Sequence, residues 1–160
     1  MLKSARYAFV VLTAAFILAI PAMQAQFRAI YSDTANAHQD IAQALTTARQ
    51  EHKRVILDFG GNWCGDCQVL DIYLHQQPNL DLMQQNFVLV HVNIGRYDQN
   101  TDLADQYEIP LKRGVPGLAV LDAHGKLLYS QKNGEFESMR KMDPASVTEF
   151  LNQWKPKKKV

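Results

Sequence analysis

Apolar positions recur along this chain in two rhythms, and their alternation lays out a succession of helices and strands. Ile41, Leu45 and Ala48 return at helical spacing with polar residues between them, which predicts a helix over about Ala37–His52. Val55-Ile56-Leu57-Asp58-Phe59 is mainly apolar in both of its alternating sets, as in a strand buried on both faces. Cys67, Leu70 and Leu74 fall at i, i+3 and i+7 with Tyr73 beside them, a second helix that Gln76-Gln77-Pro78 ends. Leu80–Gln85 adds a short helical turn, Phe87–Ile94 is a valine-rich strand, and Asp102–Tyr107 suits a short helix. Leu118–Leu121 and Leu127–Ser130 flank Asp122-Ala123-His124-Gly125, the pattern of a β-hairpin. Val147–Trp154 closes the domain as a helix, and Phe27–Tyr31 alternates loosely, as a short edge strand would. The order is strand, helix, strand, helix, hairpin and helix. It predicts an α/β fold, a central mixed β-sheet flanked by helices on both faces.

A chain of 160 residues holds one domain comfortably, and with 47% apolar residues it can build a core without a disulfide framework. The two ends stand apart from that domain. Lys3 and Arg6 precede an apolar stretch, Ala8–Ile20, which Pro21 breaks, and Ala22-Met23-Gln24-Ala25 then offers small residues for cleavage. Residues 1–25 are therefore expected to be a signal peptide, leaving a domain over 26–154 with no stable membrane insertion once the leader is removed. An uncleaved membrane anchor is the alternative, and the apolar run is barely long enough for one. Residues 155–160, with Lys155, Lys157, Lys158 and Lys159, form a basic flexible tail. The formal charge of +1 becomes a slight acidic excess without Lys3 and Arg6, so nothing suggests nucleic-acid binding. Export puts the domain in a periplasmic or otherwise extracytoplasmic compartment.

Chemistry concentrates in Trp63-Cys64-Gly65-Asp66-Cys67, which holds the chain's two cysteines. A disulfide across two intervening residues closes too small a ring to restrain an unfolded chain much, so it is a poor staple and a good redox couple. A structural zinc site normally needs four ligands, and the five histidines, His38, His52, His75, His91 and His124, are scattered. Metal is therefore not expected. A structural disulfide and a non-catalytic binding module are the remaining alternatives to thiol–disulfide exchange. A helix beginning at Cys64 leaves backbone N–H groups free around its sulfur, and the positive end of the helix favours a thiolate there. Cys64 is thus the expected exposed nucleophile, and Cys67, one turn on and on the apolar face, the resolving thiol.

Several separated features together resemble the thioredoxin superfamily across about Ala37–Trp154. The Trp-Cys-x-x-Cys motif matches Trp63–Cys67; the family's buried acid, six residues before the first cysteine, matches Asp58; its cis-proline before the hairpin matches Val115-Pro116. The resemblance implies a thioredoxin-like fold and a role for Asp58 as proton acceptor to Cys67, consistent with the cost of an ionised acid in an apolar strand. It also implies that Val115 and Pro116 face the cysteines and pair with an extended partner segment. Trp63 is expected to shape the docking face and Gly65 to let a partner approach closely. Lys112 and Arg113 are placed to steer acidic partners. The chain departs from the common pattern at Asp66, Gly60-Gly61, Pro110–Arg113 and the long connection Gln131–Asp143. Asp66 matters to the chemistry, because a carboxylate between the cysteines opposes a thiolate on Cys64 and makes the couple more reducing.

No metal, flavin or nucleotide motif accompanies these residues, so no cofactor is expected and electrons must come from another protein. The function expected is an extracytoplasmic protein-disulfide reductase or electron relay. It would act as a monomer on disulfide-containing exported proteins, served by a separate protein electron donor. A disulfide oxidase or isomerase is the alternative enzyme.

Overall fold

In a computed structural model, residues 28–157 are described; the signal peptide expected at 1–25 and the last three residues of the basic tail lie outside them. The elements run α1 (Ala37–Glu51), β1 (Arg54–Gly60), α2 (Gly65–Leu74), α3 (Asn79–Asn86), β2 (Phe87–Asn93), α4 (Thr101–Gln106), β3 (Gly117–Leu121), β4 (Leu127–Ser130) and α5 (Ala145–Trp154). Short 3-10 turns occupy Leu111–Arg113 and Met139–Lys141.

Local chemistry explains the boundaries. Asn36 caps α1, its side chain accepting from the Gln39 N–H, and His52 ends the helix in a left-handed conformation at φ 56°. In the hairpin turn, Oδ1 of Asp122 accepts from the N–H groups of His124 and Lys126 at 2.8 and 2.9 Å, and Gly125 takes the positive φ the turn needs. The helical turn expected over Leu80–Gln85 is a full eight-residue helix, α3.

The sheet order is β2-β1-β3-β4, with β1 parallel to β2 and antiparallel to β3, and β3 antiparallel to β4. A sheet of mixed direction buried on both faces explains the near-continuous apolar character of β1. Val55, Leu57 and Phe59 pack on one side with Ile41, Ala44 and Ala48 of α1, and with Leu103 of α4. Ile56 packs on the other side, with Leu118, Val120, Leu70, Leu74, Met83, Phe150 and Leu151. Asp58 shares the alternation set of Ile56 and is completely buried.

One expected element is absent. Residues 28–31 of the proposed edge strand form a loop (Phe27 lies outside the described residues), and side-chain amides supply the partners a neighbouring strand would have given. Oδ1 of Asn62 accepts from the N–H groups of Ile30 and Tyr31 at 2.8 and 2.9 Å, and its Nδ2 donates to the Tyr31 carbonyl. Gln68 does the same for Arg28, accepting from its N–H at 3.0 Å and donating to its carbonyl at 2.8 Å. These bonds draw the loop across the sheet edge and bury Tyr31.

Candidate active site

β1 ends at Gly60, and the chain turns through Gly61-Asn62-Trp63 into α2, so both cysteines stand at a strand-to-helix junction. They are joined as a disulfide, with Cα atoms 5.3 Å apart. Cys64 is the N-cap of α2, and its sulfur accepts from the N–H of Cys67 at 3.0 Å. That donor, with the helix terminus behind it, is ready to stabilise a thiolate when the pair is reduced. Cys67, inside the first turn, has no exposed surface. Cys64 was expected to be exposed. In the disulfide it keeps only 5% of its surface, with the Val115 loop close against it. The difference that remains is small, 5% of its surface for Cys64 against none for Cys67.

The expected docking residues gather at this edge. The Val115–Pro116 bond is cis, and the Val115 carbonyl oxygen lies 3.5 Å from Sγ of Cys64. Nε1 of Trp63 donates to the Gly95 carbonyl at 2.7 Å, and the Arg96 guanidinium sits 5.1 Å from the ring centre. Tyr97, a large apolar residue left exposed, packs against the same ring. Next to Val115, the Pro110–Arg113 insertion walls a groove of about 700 Å³ that is also lined by Tyr97 and Ile109. Lys112 and Arg113 border it, although Arg113 also donates to the Asn133 carbonyl.

Gly60-Gly61 has a steric reason. A Cβ on Gly60 would stand 2.3 Å from the Tyr31 hydroxyl and 2.9 Å from Sγ of Cys67. One on Gly61 would stand 2.6 Å from Nε1 of Trp63. The missing side chains are therefore the space in which Tyr31 and Trp63 lie.

Asp58 is completely buried. Its Oδ2 accepts from the Tyr31 hydroxyl at 2.8 Å and lies 3.0 Å from Nδ1 of His91, while Oδ1 has no hydrogen-bond partner among the described residues. Burial, then the charge and hydrogen bond of Asp58, push the Tyr31 hydroxyl well above the ordinary tyrosine range. Neither Tyr31 nor His91 lies in a motif that marks it for this site. For His91 a signal existed, because in-register alignment of the two parallel strands sets it directly beside Asp58. Tyr31 is brought in by a loop that Asn62, Gln68 and Asn93 hold through side-chain bonds, and the paired glycines were its one trace.

Asp66 stands differently from its expected place as a lone charge. Arg140, from the long Gln131–Asp143 connection, donates to it through its backbone N–H at 2.9 Å and through Nε and Nη2 at 3.2 and 3.0 Å. Partial burial opposes the charge of Asp66. The hydrogen bonds and charge of Arg140, helped by Lys141, outweigh it and hold the carboxyl below its usual range. The connection is anchored by Phe136 and Met139, both in the core. Its length thus delivers a counter-ion to the active-site helix.

This geometry can be set beside known proteins. The thioredoxin-like family model matches residues 36–123, more than half of the chain and the whole span from α1 through the cysteines to β3. The chain belongs to the thioredoxin-like family. The solved structure of a disulphide isomerase from Xylella fastidiosa Temecula1 is 33% identical and superposes with a TM-score of 0.75, covering 79% of this chain and 96% of that one. A thioredoxin from Thermus thermophilus shares the fold at 22% identity, with a TM-score of 0.53 over 70% of this chain and 81% of that one. The thiol:disulfide interchange protein DsbD of Photorhabdus laumondii is 27% identical over 107 residues, 66% of this chain but 18% of that protein. The chain thus spans less than a fifth of the length of that relative. Among the described residues no helix is long and apolar enough to cross a membrane.

Proposed function

We propose that this thiol–disulfide oxidoreductase of the thioredoxin-like type works as a reductase or electron relay, cycling Cys64 and Cys67 between dithiol and disulfide. Cys64 attacks a partner disulfide from the N-terminus of α2, and Cys67 then displaces the partner from the mixed disulfide. Trp63, Gly65, Val115 and Pro116 form the docking edge, with the groove beside Val115 receiving the chain on one side of the partner's cysteine.

The observation that carries the direction is the charge beside Cys64. Strong oxidants owe their potential to a stabilised reduced form. Here an ionised first-turn carboxylate, Asp66, opposes the thiolate, and Arg140, paired with it, offsets part of that charge. Isomerase or oxidase activity is the second reading, favoured by the likeness to the Xylella disulphide isomerase. The partners are disulfide-containing exported proteins, with a separate protein as electron donor, and the chain acts as a monomer. Export rests on the pattern of Lys3, Arg6 and Ala8–Ile20, with residues 1–25 as the leader.

Trapping and a redox titration test this reading. Cys67→Ser is expected to accumulate mixed disulfides with partner proteins and Cys64→Ser to trap few; equal trapping by both, or by neither, overturns the assignment. A dithiol/disulfide potential above about −150 mV, towards that of the strong oxidants, rejects the reductase and supports the second reading.

A further inference from the structure

Cys67 has no contact with water, yet as the resolving thiol it must lose a proton before it attacks. A line of polar groups leads from it to the surface. The hydroxyl of Tyr31 and the sulfur of Cys67 lie 2.3 and 2.9 Å from one point, the vacant Cβ position of Gly60, and so are no more than about 5 Å apart. The same hydroxyl donates to Asp58, and Nδ1 of His91 lies on the same carboxylate oxygen. The His91 side chain is 23% exposed, whereas Tyr31 and Asp58 are closed to solvent. Its Nε2 lies 4.0 Å from Oδ1 of Asp71, a buried carboxylate that pairs with Arg28 at the surface. Oδ1 of Asp58, without a hydrogen-bond partner among the described residues, is an acceptor inside the core.

We propose that Tyr31 and His91 make this line a proton route: Tyr31 passes the proton of Cys67 to Asp58, and His91 discharges it to solvent. The route rests on the reading of Cys67 as the resolving thiol. In the step, the Cys67 S–H bond breaks and the Tyr31 oxygen takes that proton while giving its own to Asp58, so no tyrosinate forms. The freed Cys67 sulfur bonds to Sγ of Cys64. The bond from Cys64 to the partner breaks, and the partner's sulfur leaves with the electron pair as a thiolate. The dithiol is oxidised by two electrons and the partner disulfide reduced by two. Asp58 then yields its proton to Nδ1 of His91, and Nε2 releases one to water. The groups around His91 are Asp58 on β1, Tyr31 in the N-terminal loop, and Asp71 on α2 with its neighbours His75 and Arg28. Asp40 of α1 borders the groove that reaches the same edge of β2.

Mixing the reduced protein with the chromogenic disulfide of thionitrobenzoate separates the steps. One thionitrobenzoate leaves when Cys64 attacks and a second when Cys67 resolves. Tyr31→Phe and His91→Ala are expected to slow the second release about tenfold or more and to leave the first unchanged. In mixtures of light and heavy water, the second release of the native protein should follow a curved dependence on deuterium fraction, and that of Tyr31→Phe a straight one. Added imidazole should restore His91→Ala. These readouts would not follow from a loosened structure alone. A second release unaltered in both variants, or a straight dependence in the native protein, overturns the route while leaving Cys67 in its role. Release of the second equivalent by Cys67→Ser would instead remove the reading on which the route rests.

Discussion

The hydrogen bond between Tyr31 and Asp58 joins two groups buried to 1% and 0% exposure, which makes its energy measurable by a double-mutant cycle. Tyr31→Phe keeps the ring and removes only the hydroxyl. Oδ1 of Asp58 is already unpartnered, so the variant leaves the carboxylate with His91 alone. A hydrogen bond to a charged group contributes about 1.5–3 kcal/mol, and a buried acceptor that loses its donor forfeits that whole amount. Tyr31→Phe should therefore destabilise the oxidised protein by about 2 kcal/mol, a fall in melting temperature of roughly 6–10 °C for a domain of this size. Asp58→Leu orphans the Tyr31 hydroxyl in turn. Combining the two removes both polar ends, and replacing a buried pair by apolar groups is near neutral. The double variant should thus be more stable than Tyr31→Phe alone, as read from urea denaturation at neutral pH. Strict additivity of the two single changes would refute the coupling. The same variant has a signature in alkali. Because the folded protein raises the titration of Tyr31, its contribution is complete below the unfolded value near pH 10 and is lost as pH rises above it. Tyr31→Phe should flatten the alkaline fall in stability by about 1.4 kcal/mol per pH unit, leaving the fall due to Tyr107 and to Tyr129, which burial and Glu135 push up to about 12.

Two further measurements address the redox charge and the leader. Asp66→Asn should raise the redox potential, by no more than about 20 mV, the effect of a carboxylate roughly 8 Å from the sulfur at an effective dielectric near 40. Arg140→Gln should lower it by uncovering the Asp66 charge, and shifts of the same sign in the two variants would sink the pairing argument. N-terminal sequencing of protein from the extracytoplasmic fraction should begin close after Ala22–Ala25, and an intact Met1 in a membrane pellet would show an anchored chain instead.

Much of the architecture was legible in the chain alone because it is written in local periodicity. The i, i+3, i+7 spacing of Cys67, Leu70 and Leu74 and the doubly apolar Val55–Phe59 report burial that each segment carries in its own residues. The cysteine pair was equally plain, since its spacing and its place between a strand and a helix are properties of a few consecutive positions. The expected strand before α1 failed because loose alternation over five residues says nothing about what lies alongside; the side chains of Asn62 and Gln68, far along the chain, took the backbone bonds instead. What only the tertiary structure decided is the set of partners. His91 on Asp58 and Arg140 on Asp66 are contacts between residues 33 and 74 positions apart, and Tyr31 nears Cys67 through the vacancy of Gly60. Such pairs leave no period in the sequence, because each forms only after the sheet has closed, the helices have docked and burial has stripped water from the groups concerned. The sequence by itself thus determined where the sulfur chemistry stands, while packing decided which acids, bases and counter-ions surround it.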